Sequence, residues 1–138
     1  MACFAYKMAS TNEAIDKIYE EILHNLVSHC VAPDERRHFF LVVSEAVTNA
    51  FLHGNKQNSS KMIDVIIWIN NKRLRADIID QGQGGLIKVD DKKDATSHSE
   101  SGRGVDLMKH FCREARFEET STGGLKVTLV VERELVNA

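Results

Sequence analysis

The chain has 138 residues, enough for one domain (1–138) with a sizeable core. With 43% hydrophobic and 28% charged residues and a net charge of −2, it has no general basic field to hold nucleic acid or a membrane surface. Runs such as "FFLVV" and "VIIWI" are too short to span a bilayer, and "MACFAYKMAS" has neither the basic start nor the apolar run of a signal peptide. Cys3, Cys30 and Cys112 lie far apart with no C-x-x-C, which predicts free thiols in a reducing cytoplasm, with no disulfide framework and no zinc site.

"FAYKM" predicts a short first strand. Residues 11 to about 30 predict an amphipathic helix, because Ile15, Ile18, Ile22, Leu23, Leu26 and Val27 recur at helical spacing. Thr11 or Asn12 is its expected cap. Pro33 opens a second helix, since the first helical position needs no N–H, and Gly54-Asn55 stops it. "KMIDVIIWIN" and "RLRADIID" alternate with period two around the polar turn "NNKR", which predicts an antiparallel hairpin. A polar, glycine-flanked loop follows from Gln81 to Gly104, long enough to suggest function. Then come a helix at "VDLMKHFCRE" and a second hairpin, "ARFEET" and "GLKVTLVVERE", joined by "STGG". Two helices, a hairpin, a helix and a hairpin make a two-layer α/β (α+β) sandwich, with helices on one face of a mostly antiparallel sheet.

Four features carry the chemistry. In the second helix Glu45 and Asn49 lie one turn apart, flanked by Leu41 and Leu52 and opposite the broad apolar face of Phe39, Val43 and Val47. A solvated helix face explains that pair as well as a site does. Asp80 continues the parity of Leu74, Ala76 and Ile78, so it points to their apolar side, where a carboxylate needs a donor; a turn beginning at Asp80 is the alternative. Gly82 and Gly84, in "DQGQGG", let backbone approach a ligand. Gly102 and Gly104, in "SGRGVDLM", lead into a helix, whose first N–H groups can bind an anion. Each alone is weak; their order is the signal.

"EAVTNAFLHG", "DQGQG" and "GRGVDLM" resemble, in order and spacing, the asparagine box and the two glycine boxes of the histidine kinase-like (GHKL) ATPases, whose fold is the Bergerat type. "VVSEAVTNAFLHGN" is most similar, within that superfamily, to the bacterial anti-sigma factor serine/threonine-protein kinases. The resemblance covers nearly the whole chain. It implies binding of ATP and ADP with Mg²⁺, Asn49 as the metal ligand, and Glu45 as general base for an attacking hydroxyl. It implies that Thr48 adds a hydroxyl near the phosphates and that Asp80 accepts from the adenine amino group. Gly82 and Gly84 would pass beside the base. Gly102, Arg103 and Gly104 would close over the phosphates at the end of a lid, about residues 85–101, that is mobile without nucleotide.

The chain departs from the family where Gly124-Leu125 stands in place of Gly-Thr; Thr122 and Thr128 are the hydroxyls that could substitute. The implied partner is a small anti-sigma antagonist of the STAS fold, phosphorylated on serine, with a sigma factor as a second partner and a homodimer as the assembly. No direct contact with nucleic acid or membrane is expected. Three alternatives remain: a nucleotide-binding module that sequesters a partner without phosphorylating it, a histidine kinase catalytic domain, and an α/β domain with no ligand. The histidine kinase would need a phosphoacceptor histidine on a helical hairpin. His24 and His29 lie on the first helix, without a second hairpin helix beside them.

Overall fold

A computed structural model describes residues 1–83 and 100–134, except for the side chains of 100–103. The strands are β1 (Ala2–Ala9), β2 (Met62–Ile69), β3 (Arg73–Ile79), β4 (Glu114–Glu119) and β5 (Leu125–Glu132). The helices are α1 (Asn12–Ser28), α2 (Pro33–Asn49) and α3 (Glu100–Phe111), with a π-helical turn at Ala50–Gly54. The sheet order is β1-β2-β3-β5-β4, and every ladder among the described residues is antiparallel.

The period-two pattern decides which face is covered. Ile63, Val65, Ile67, Leu74, Ala76, Ile78, Val127 and Leu129 point to one side and are buried there. α1 contributes Ile15, Ile22 and Leu26 to that core, and α2 contributes Phe39, Val42, Val43, Ala46 and Val47. Leu23 and Val27, which the spacing placed with the apolar face of α1, are exposed instead. Thr11 caps α1 by accepting from the Ala14 N–H at 3.2 Å. Pro33 opens α2 as expected, and the Glu35 carboxylate reaches back to the Ala32 N–H at 3.4 Å.

The other sheet face carries no helix among the described residues. There the Arg75 guanidinium lies 4.7 Å from the centre of the Trp68 ring and bonds the buried Asp77 at 3.1 Å. Thr128 sits opposite Asp77 on this same face.

α3 packs chiefly against α2. It begins at Glu100, five residues before the expected Val105. Gly102 and Arg103 therefore lie in its first turn and Gly104 follows, all inside the helix rather than ahead of it. Of the expected lid, only Glu100 and Ser101 are described, and they are helical; the rest, with Gly84, lies outside the described residues. Among the described residues no helix is long and apolar enough to cross a membrane.

Candidate functional site

The site is built at the C-terminal end of α2, where three segments meet. Glu45 and Asn49 occupy one side of α2, one turn apart, and both are partly buried. Asn49 is the last α-helical residue. The chain then widens into the π turn, in which the Asn55 N–H bonds the Ala50 carbonyl at 2.7 Å. Such turns often mark functional sites because they displace the helix register locally.

Gly104 of α3 rests directly on the pair. A methyl group on it would lie 3.0 Å from Glu45 Oε2 and 3.4 Å from Asn49 Nδ2. That close approach sets the first turn of α3, with Gly102 and Arg103, next to the two polar side chains. The first four N–H groups of a helix have no intrahelical acceptor and form its positive end. Glu45, Asn49 and Gly104 are thus brought together near the N-terminal end of α3.

Asp80 forms the second half of the site. It follows β3 and is 5% exposed. Its N–H bonds the Leu125 carbonyl at 3.0 Å. Its Oδ1 accepts from the Gly82 N–H at 2.9 Å and the Leu125 N–H at 3.1 Å. Both donors serve Oδ1, so Oδ2 is the oxygen with capacity for another donor. Three glycines make room around it. A methyl group on Gly54 would sit 2.2 Å from Asp80 Oδ2, one on Gly82 2.2 Å from the Gly54 carbonyl oxygen, and one on Gly124 2.4 Å from the Asp80 carbonyl oxygen.

The expected hydroxyl substitutes do not reach Asp80. Thr128 is turned to the opposite sheet face, because side chains of β5 alternate and Leu125, Val127, Leu129 and Val131 share the inner side. Thr122 bonds the Thr120 hydroxyl at 3.2 Å. The Leu125 backbone N–H supplies the donor at 3.1 Å, so the bond to Asp80 does not depend on a side-chain hydroxyl at this position.

Thr48 is exposed on the α1 side of α2, where its hydroxyl bonds that of Tyr19. The Tyr19 hydroxyl donates in turn to the Ser44 carbonyl at 3.3 Å. Burial pushes the Tyr19 phenol up to about 12, partly offset by the Thr48 bond and reinforced by Asp16 and Glu45. His24 on α1 and His29, the C-cap of α1, are both exposed, and His29 Nδ1 lies 2.9 Å from the Asn25 carbonyl.

Asn55 is a site residue that the spacing did not disclose, since after Gly54 it reads as a helix stop. It is 1% exposed. Its amide ties the end of α2 to the Asp80 turn, and nothing local in the sequence announces partners that distant.

The residues present suit a nucleotide. A buried carboxylate with a spare oxygen sits in a glycine cradle at one end. A carboxamide under a helix N-terminus, with a carboxylate beside it, sits at the other. Among the described residues no group of three or more His, Cys, Asp or Glu could hold a metal by itself. That is compatible with a magnesium ion held mainly by phosphates and water.

The sheet order and the helix layer, with a buried Asp80 turn after β3 and a Glu45–Asn49 pair at the end of α2, are those of an ATPase domain of the histidine kinase type. The family profile described as "Histidine kinase-like ATPase domain" matches residues 8–131, and the chain belongs to that family. Among curated relatives, the anti-sigma F factor of Priestia megaterium is 31% identical over 110 residues, covering 76% of this chain and 74% of the relative. The crystal structure of the RsbU and RsbW domains of Rv1364c from Mycobacterium tuberculosis aligns with a TM-score of 0.70 at 20% identity. It covers 97% of this chain, which spans 34% of that structure. The SiaB-SiaC complex from Pseudomonas aeruginosa aligns with a TM-score of 0.61 at 15% identity, covering 94% of this chain and 89% of that one. At such identities the two structures speak for the fold alone.

Proposed function

We propose that the chain is a cytoplasmic ATP-dependent protein serine/threonine kinase of the anti-sigma factor type. It phosphorylates a serine of a STAS-domain antagonist and changes partners as a result. The observation that carries this reading is the contact of Gly104 with both Glu45 and Asn49, which puts a candidate base and a candidate metal ligand under one helix N-terminus.

In this reading Asp80 Oδ2 accepts from the adenine amino group, and Gly82 lets the backbone pass the base. The first turn of α3, through Gly102 and Arg103, donates N–H groups to phosphate oxygens, and Gly104 packs beside Glu45 and Asn49. Asn49 offers its amide oxygen to Mg²⁺. When bound, that ion neutralises charge on the triphosphate. Glu45 takes the proton of the partner's serine hydroxyl while its oxygen bonds the γ-phosphorus and the bond to ADP breaks. Glu45 is what separates a kinase from a sequestering module, which needs no base there. A sigma factor as second partner belongs to the same reading and is supported by the name of the anti-sigma F factor relative; a homodimer is the assembly proposed with it.

The test is transfer of label from radiolabelled ATP, with Mg²⁺, to STAS-domain proteins of the source genome. Labelling of a serine in one of them supports the kinase. Binding of a candidate without labelling supports the sequestering module.

A further inference from the structure

We infer that Asn55 is a positioning residue that fixes the purine preference of the site by holding the Asp80 turn in register. The inference rests on the nucleotide-binding reading above. Asn55 is buried, and its side-chain amide makes three hydrogen bonds to three separate segments. Oδ1 accepts from the Gln81 N–H at 2.8 Å. Nδ2 donates to Ser10 Oγ at 2.9 Å and to the Met62 carbonyl at 2.9 Å. Ser10 is fixed by donating its own hydroxyl to the Lys61 carbonyl at 2.7 Å. Gln81 is held a second time, its Oε1 accepting from the Met62 N–H at 2.6 Å.

Gln81 stands between Asp80 and Gly82, so its N–H belongs to the peptide that carries the Asp80 carbonyl. Fixing it sets the direction of the Asp80 side chain. That direction decides selectivity. A fixed carboxylate oxygen attracts the amino group of adenine and repels the keto oxygen of guanine. A mobile one can turn away from guanine and lose the distinction. Asn55 also follows the π turn that begins after Asn49, so the segment that offers the metal ligand also sets the base-reading turn. A satisfied buried amide of this kind is costly to break and specifies one arrangement.

The experiment compares wild type, Asn55→Ala and Ser10→Ala by calorimetry with ATP and GTP, and by amide hydrogen exchange without nucleotide. Loss of one such hydrogen bond corresponds to roughly two- to tenfold in an equilibrium. Asn55→Ala should lower the ATP-to-GTP affinity ratio about tenfold, and Ser10→Ala about twofold. Exchange at Gln81 and Gly82 should quicken while the middle of β3 stays protected. An unchanged affinity ratio in folded Asn55→Ala overturns the inference even if its melting temperature falls, because that is the mark of a purely structural residue. Unchanged exchange at Gln81 overturns it without reference to nucleotide. If Asn55→Ala does not fold, Ser10→Ala carries both tests. A wild type that binds neither nucleotide overturns the binding reading and this inference with it.

Discussion

The Cα of Gly54 is packed against the Asp80 carboxylate so closely that a methyl group there would stand 2.2 Å from Oδ2. The end of α2 and the end of β3 therefore meet through a residue that has no side chain. Gly54→Ala should push the carboxylate out of place. Overpacking of this kind costs about 1–3 kcal/mol of stability. ATP affinity should fall by at least about tenfold, the equivalent of one such lost interaction. Thermal unfolding and calorimetry on the same preparation measure both effects.

Asp80→Asn changes an acceptor into a group that is partly a donor. It keeps the shape of the turn and the two backbone donors on Oδ1. ATP should bind more weakly, and the preference over GTP should shrink. Equal affinities of the wild type for ATP and GTP would remove Asp80 from base recognition.

Alkaline pH should ionise the partly buried phenol of Tyr19 and weaken the fold. Its value is raised from 10.0 to about 12, chiefly by burial, so the fold favours the protonated form. This contribution to stability is fully present below about pH 10 and is lost as pH rises toward 12. Burial likewise raises Cys112 from 9.0 to about 12, adding a loss over that range. Tyr19→Phe should cost about 0.5–1.5 kcal/mol near neutrality through the lost hydrogen bonds. It should also flatten the decline above pH 10 relative to wild type. Denaturant titrations at pH 7, 9, 10 and 11 compare the slopes.

The first turn of α3 should become more protected when nucleotide binds. Amide exchange at Ser101–Arg103 should slow on adding ATP with Mg²⁺, because N–H groups at a helix start have no intrahelical acceptor and gain phosphate acceptors. No change there would count against a phosphate site at this helix end.

The β2–β3 hairpin was legible because strict alternation survives burial, and that alternation also placed Asp80 on the inner side. The pairing of Glu45 with Asn49 followed from helical spacing alone. The start of α3 was not legible. Gly102 and Gly104 read as breakers, since glycine costs a helix about 1 kcal/mol relative to alanine. In the structure Gly104 is inside the helix, where a methyl group would lie 3.0 Å from Glu45 Oε2 and 3.4 Å from Asn49 Nδ2, so a side chain there would crowd both. Packing outweighed propensity there. Thr128 failed as a substitute because it is an odd number of residues past Leu125, which turns it to the other face. Asn55 stayed hidden because two of its partners, Ser10 and Gln81, are 45 and 26 residues away.

The central claim is that Glu45 acts in phosphoryl transfer rather than in binding. Glu45→Gln keeps the side-chain volume beside Gly104 and removes the base. With radiolabelled ATP, Mg²⁺ and a STAS-domain acceptor that the wild type labels on serine, the variant should transfer phosphate about 10²–10⁴-fold more slowly. Its ATP affinity should stay within about twofold of wild type, since the lost carboxylate makes no attractive contact with a triphosphate. Transfer by Glu45→Gln at the wild-type rate would contradict the account.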